Sequence, residues 1–380
     1  MELEVARRSL QDWLFTSAFP LWSQVGTDSE GGFFEKLTPE GAPTDDPRRA
    51  RVVGRQIFAF AVADRLGWPG PARAQVAHGL AALARSHLFS DGVIVPLADR
   101  DGTPLSTAFD LYDHAFVLFA LAAAHGTGAP PADLTGQAQA VRRRMAAGWK
   151  HPVAGFEEAA PRTLPLKANP HMHLLEASLA WEEVAPDAQW RAMADEIAEL
   201  CLRCFIDPAT GAVREYYDGD WQALTDPAGA VVEPGHQFEW AWLLIRWGQL
   251  RGRPDAITAA RRLIALAEAH GVDPVRGLAV NELNADLSLR DARARLWPQT
   301  ERIKAHLALA DLSETPVARA TARRHAAQAV NGLMRFFDHP LPGAWWEHLD
   351  TAGTPIREPA RASSLYHITC AMDVLAAHRA

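Results

Sequence analysis

Two stretches of the 380-residue chain repeat one chemical pattern. In "NPHMHLLEASLAWEEV" and "EPGHQFEWAWLL" a histidine is followed three residues later by a glutamate, giving His173 with Glu176 and His236 with Glu239, each pair just after a proline. A third histidine, His367, opens the run "SSLYHITCAM". Imidazole titrates near neutrality and serves as either proton donor or acceptor, so three such groups in matching positions point to acid/base chemistry. On a helix, spacings of three and four bring Asn169, His173 and Glu176 into one polar stripe on an otherwise apolar surface. A helix amino terminus disfavours the imidazolium ion and keeps the ring basic. Asn169 is expected to cap that helix, with Pro170 at its first position.

Positioning these groups falls to helices. The periodicity and cap signals predict twelve, over 3–24, 48–66, 72–88, 110–125, 131–149, 170–184, 187–205, 235–251, 255–271, 298–313, 316–337 and 364–379. Even-numbered members such as "DLYDHAFVLFALAAAHG" are apolar nearly all round, whereas odd-numbered ones such as "GQAQAVRRRMAAGW" carry a charged face. Such alternation predicts an all-α double ring, six inner helices wrapped by six outer ones. The polar or aromatic residue near the start of each even helix recurs about every 60 residues, as Arg55, Tyr112, His173, His236, Trp297 and His367. Parallel inner helices would gather all six at one end. "GGFFEKL" and "GAVREYYD" read as short strands between helices, and no Pro-, Gly- or Ser-rich linker divides the chain, so residues 1–380 are read as one domain.

Composition narrows the function. A net charge of −8 without a basic run argues against nucleic acid and gives no attraction to an anionic membrane. The amino-terminal stretch mixes charges into its apolar positions, unlike a signal peptide or spanning helix, so a cytoplasmic protein is expected. Three cysteines are too few for a disulfide framework, and the C-x-x-C at Cys201 and Cys204 lies inside a helical run. Metal is the sharpest rival to acid/base chemistry, but a helical di-iron site uses Glu-x-x-His, the reverse of the order here, and no H-E-x-x-H occurs. A glycosidase would recruit two of Glu176, Glu239 and Glu301 and leave the three histidines unexplained. His114 and His171 fall beside the stripe and are read as structural; His325 and His339 sit on outer faces.

The runs "RVVGRQIFAFAVADRLGW", "DLYDHAFVLFALA", "NPHMHLLEASLAWEEV", "PGHQFEWAWLL", "RLWPQTERIKA" and "SSLYHIT" resemble, in order and spacing, the N-acylglucosamine 2-epimerase superfamily, and the last two look most like its mannose isomerase branch. The resemblance implies an (α/α)6 barrel and a sugar site lined by Arg55, Tyr112, Asn169, His173, His236, Glu239, Trp297, Glu301 and His367, with Glu176 beside His173. It makes His236 and His367 the acid/base pair, without redox cofactor or metal. Small Ser363 and Ser364 depart from the sulfoquinovose isomerases. The implied reaction interconverts D-mannose and D-fructose, or D-lyxose and D-xylulose, through a cis-enediol(ate). The alternative is a 2-epimerase with the two histidines on opposite faces of C2. A monosaccharide is the expected partner, and the oligomeric state is left open.

Overall fold

The computed structural model describes residues 2–127 and 133–378. Helices account for most of it. α1 runs through Leu3–Trp13, a π turn Leu14–Ala18 and Phe19–Gln24. There follow α2 (Ala50–Arg65), α3 (Ala72–Ser86), α4 (Leu111–His125), α5 (Leu134–Gly148) and α6 (Ala168–Val184). α7 (Ala188–Leu200) continues through the π turn Cys201–Phe205, and then come α8 (Pro234–Arg251), α9 (Pro254–Gly271), α10 (Leu296–Asp311), α11 (Pro316–Met334) and α12 (Ser363–Ala377). All twelve expected helices are present. Residues 131 and 132 of the fifth and 379 of the last lie outside the described residues.

The even helices form the inner ring. α2 packs on α4, α4 on α6, α6 on α8, α8 on α10, α10 on α12, and α12 returns to α2. Sequence dictates this layering, since α4 is buried on every side from Leu111 to Ala122 except at Tyr112, whereas α5 turns Arg143 and Arg144 outward. Burying an apolar side chain contributes about 1.5–3 kcal/mol, which rewards putting the all-apolar helices inside. No described helix is long and apolar enough to cross a membrane. Cys201 and Cys204 are free and lie in the π turn after α7.

Each inner helix is entered from a short strand that ends one or two residues before it: Arg48–Arg49, Phe109–Asp110, Leu166–Lys167, Val231–Val232, Leu289–Arg295 and Ala360–Arg361. These strands replace capping side chains at α6. Asn169 does not cap it, because the helix starts at Ala168, whose N–H is taken by the Glu215 carbonyl at 3.2 Å. Where no strand bond serves, side chains do: Asp187 caps α7 and Thr315 caps α11, with Pro316 in its first turn. Strands do fall in "GGFFEKL" and "GAVREYYD", as Gly32–Phe33, Lys36–Leu37 and Tyr216–Tyr217. The largest sheet element, the hairpin of Val280–Asn284 with Leu289–Arg295, had no forecast; its second strand, "LRDARAR", is mostly solvent-facing and lacks the apolar alternation that marks a strand.

α2 and α4 approach most closely at Gly54, where an added Cβ would stand 2.8 Å from the Phe116 carbonyl oxygen. That atom belongs to a packed helix backbone and has little freedom to retreat. Gly54→Ala gains up to about 1 kcal/mol of helix propensity and meets an overlap that costs about 1–3 kcal/mol. A lower midpoint in denaturant unfolding, with unchanged slope, is the expected result.

Candidate functional site

The six inner helices begin around one cavity of about 500 Å³. Arg55, Tyr112, Asn169, His173, His236, Glu239, Trp297 and His367 all line it. The inner ring therefore is parallel, and the recurring polar positions meet at its amino-terminal end.

Two of the expected contact residues sit deeper. Glu176 and Glu301 are fully buried and do not reach the cavity. Three residues further along its helix than the histidine it supports, Glu176 lies one turn below the rim and holds His173 Nδ1 at 3.1 Å. Glu301 holds His367 Nδ1 at 2.9 Å from the neighbouring α10. Each carboxylate thereby fixes its ring and leaves Nε2 available toward the cavity.

Three further members had no obvious signal in sequence. Glu215, in the strand region before α8, takes His236 Nδ1 at 2.8 Å, although Glu239 follows that histidine at the same spacing by which Glu176 follows His173. Lys304 is wholly buried beneath the cavity, its Nζ 2.5 Å from Glu301 Oε2, 3.9 Å from Glu239 Oε1 and 4.0 Å from the Trp242 ring centroid. Tyr366 donates its hydroxyl to Glu176 Oε2 at 2.5 Å. The one hint was a lysine three residues after Glu301 in a helix with no exposed face there.

Electrostatics separates the two cavity histidines. Burial alone would lower His236, but the carboxylates of Glu215 and Glu233 push it up to about 10, so its ring is cationic at neutral pH. His367 goes the other way: burial, together with the positive charges of Arg55 and Lys304, holds it well below 6.5, and its ring is neutral. Trp297 lies against both, with ring centroids 4.8 Å from His236 and 5.7 Å from His367. A neutral base and a cationic acid across one apolar face is the pairing that proton transfer requires.

The remaining polar groups are arranged to receive hydroxyls. Burial raises Glu239 well above the usual carboxylate range, with Glu301 adding to the shift, and neither of its oxygens has a hydrogen-bond partner. Asn169 Oδ1 is also buried and unpartnered. An orphaned buried polar atom costs about 1–3 kcal/mol, a cost offset when a ligand supplies the missing bond. Arg55 donates to the Tyr112 hydroxyl at 2.6 Å, and its guanidinium lies 4.1 Å from the Phe116 centroid. His114 and His171 point away: each binds a backbone carbonyl through Nδ1, of Asp110 and Lys167, and burial lowers each to about 4. His325 and His339 are half-buried outside the cavity.

Three sets of side chains at the site have atoms close enough to share a metal ion: His173, Glu176 and Glu239; Glu215, Glu233 and His236; Glu239, Glu301 and His367. Positive charge already stands in two of them, as the imidazolium of His236 and the ammonium of Lys304 beside Glu239 and Glu301. Both compete with a cation for the same oxygens.

Comparison with known proteins gives the family and the fold. A family model described as N-acylglucosamine 2-epimerase matches residues 32–371. A protein of Rhizobium meliloti (strain 1021) named mannose-6-phosphate isomerase is 44% identical over 98% of this chain and 97% of its own length. A D-mannose isomerase of Pseudomonas cannabina pv. alisalensis is 32% identical over 70% of each chain. Among solved structures, cellobiose 2-epimerase from Bacillus thermoamylovorans B4167 superposes with a TM-score of 0.87 at 15% identity, covering 98% of this chain and 100% of its own. A D-mannose isomerase superposes at 0.85 and 22% identity, covering 99% and 97%. These two likenesses establish the (α/α)6 fold.

Because folding raises His236, its contribution to stability is fully present below the ordinary imidazole value near 6.5 and is lost as pH rises through about 10. Glu215→Gln removes the leading source of that rise. The loss then moves toward neutral pH, and the alkaline limb of kcat moves with it. Unfolding free energy and turnover, each followed against pH in both proteins, check the pair of shifts.

Proposed function

The chain belongs to the N-acylglucosamine 2-epimerase family, and on that premise we propose that it is an aldose–ketose isomerase acting on a sugar of the manno series, converting the D-mannose skeleton to that of D-fructose. The observation that carries the reading is that His236 and His367 both pack against Trp297 in one cavity, the first pushed up to about 10 by neighbouring carboxylates and the second held well below 6.5 by its burial. Mannose and its 6-phosphate are the sugars named for the similar isomerases.

The sugar ring lies against Trp297, and as the C1–O5 bond breaks His236 gives a proton to O5 and takes the one leaving the O1 hydroxyl, so it is again cationic beside the open chain. In the open chain, neutral His367 removes the proton on C2 while cationic His236 protonates the carbonyl oxygen O1, leaving a cis-enediol. His236 then takes the hydroxyl proton from O2 as the carbonyl forms there, and His367, after exchanging its proton with solvent through the cavity it lines, delivers one to C1. One C–H bond breaks, one forms, and both histidines finish as they began. Negative charge developing on the oxygens meets Arg55, and a fixed donor of this kind is worth about 100–1,000-fold in rate. Asn169, His173 and Glu239 hold the remaining hydroxyls. All of this uses side chains alone, with no cofactor or metal in any step.

A 2-epimerase would use the same pair across opposite faces of C2. The isomerase reading has two supports against it: a single base, His367, stands ready in neutral form, and the relatives at 44% and 32% identity carry isomerase names.

Incubation with mannose in deuterated water separates the two outcomes. Fructose labelled at C1 is expected; glucose labelled at C2 with little fructose would overturn the proposal. His367→Ala should cost about 100–10,000-fold in kcat with the fold intact by circular dichroism. Activity should survive exhaustive chelation unchanged, and its loss with recovery on adding a divalent ion would reinstate a metal mechanism.

A further inference from the structure

The residue at the threshold of each inner helix lines the mouth of the cavity, and its charge changes around the ring. In ring order these are Arg49 before α2, Asp110 before α4, Lys167 before α6, Glu233 before α8, Arg295 before α10 and Arg361 before α12. Because α10, α12 and α2 are consecutive neighbours and the ring closes between the last two, three arginines occupy one continuous arc. Arg51 and the buried Arg55 lie on the same side. Both acidic thresholds belong to the opposite side.

Two members of the arc are free to act. Arg49 is held by Glu35 and Arg51 by Asp113 at 3.0 Å. Arg295 rests on the face of Trp297 at 5.6 Å and makes no ion pair among the described residues. Arg361 is 43% exposed, and its closest carboxylate, Glu358, is 3.9 Å away and bonded to His348 at 2.6 Å. The two sit together, since Arg295 pairs with His348 in the sheet while Arg361 N–H bonds the Glu347 carboxylate one residue before it. Glu347 itself is saturated by Trp345, Ser364 and that N–H. The next helix, α12, starts here with no side-chain cap, so its first-turn N–H groups add positive potential. Arg55, more than nine-tenths buried, lines the same cavity with its Nε unpartnered.

We infer that the arc formed by Arg295 and Arg361 at the start of α12 binds a dianionic phosphate on the far end of the sugar, so that the preferred substrate is an aldose 6-phosphate. This rests on the isomerase reading above, and it adds a terminal group that the reacting carbons do not need. With C1 and C2 between His236 and His367 against Trp297, the chain's other end points up toward the mouth. Two guanidinium groups present planar paired donors suited to phosphate oxygens, and a neutral hydroxymethyl group would leave both without a partner.

The test measures kcat/KM of the purified enzyme for D-mannose 6-phosphate and for D-mannose, at low and high ionic strength. A preference of at least about tenfold for the phosphorylated sugar, shrinking as salt rises, is expected. Arg361→Ala and Arg295→Ala should each remove most of that preference, a loss of about tenfold, the low end of the worth of one charge-assisted bond. Inorganic phosphate should compete with mannose and raise the unfolding temperature of the wild type, and do neither in Arg361→Ala, whose exposed side chain makes misfolding no explanation. Equal kcat/KM for the two sugars, with no competition by phosphate, would overturn the inference and leave the isomerase standing. Failure to turn over either sugar, with no deuterium uptake, would instead remove the isomerase, and phosphate-dependent stabilisation lost in Arg361→Ala would still report the anion site.

Discussion

One ammonium group holds the interior of this barrel together. Lys304 is fully buried among three carboxyl groups, those of Glu176, Glu239 and Glu301. Taking either partner away from a buried pair costs about 3–5 kcal/mol, because the remaining charge is left without compensation. The arrangement is therefore all or nothing. With Lys304 bonded to Glu301, that carboxylate can accept from His367, and with Glu176 ionised, His173 and Tyr366 are held. The surplus acid, Glu239, is pushed well above the usual carboxylate range by burial and left without partners, which makes it the group most available to an incoming hydroxyl. A purely apolar floor would be more stable, yet it would fix none of these rings.

The two layers of the ring were legible in sequence because burial on all sides and burial on one side leave different patterns, and α4 and α5 differ in that way along their whole length. The site was legible where chemistry repeated: His173 and His236 stand at matching places, and the interval of about 60 residues carried Arg55, Tyr112, Trp297 and His367 with them. Sequence reasoning stumbled where partners come from another element. Glu239 follows His236 by three residues, but the ring turns to Glu215, which a strand delivers from 21 residues upstream. Asn169 looked like a cap, and the strand bond to Ala168 made the cap unnecessary. Side-chain depth was the other gap. Glu176 and Glu301 belong to the histidine stripe by spacing, yet one helical turn is enough to put them under the floor instead of on it.

Parallel inner helices do more than bring residues together. Six amino termini facing one cavity impose a common positive potential, which would suppress every imidazolium there equally. His367 is low because it is buried and faces the charges of Arg55 and Lys304, and the termini act in the same direction. His236 escapes the common potential only because two carboxylates, Glu215 and Glu233, crowd the same ring. The acid and the base thus begin as chemically identical side chains at equivalent positions in the repeat, and neighbours that the repeat does not share make them different. Glu233 is one of the threshold residues, so the segments that line the mouth also tune the proton transfer beneath it.

The closure of α12 onto α2 joins segments roughly three hundred residues apart, and it bears on the protein's birth as much as on its mature form. A ribosome delivers α2 long before α12, so the nascent barrel waits as an open crescent whose apolar inner seam faces solvent or a chaperone. During that interval the polypeptide lacks His367 and Tyr366 as well as its last stave. Closure of the ring and completion of the histidine set consequently arrive in the same event.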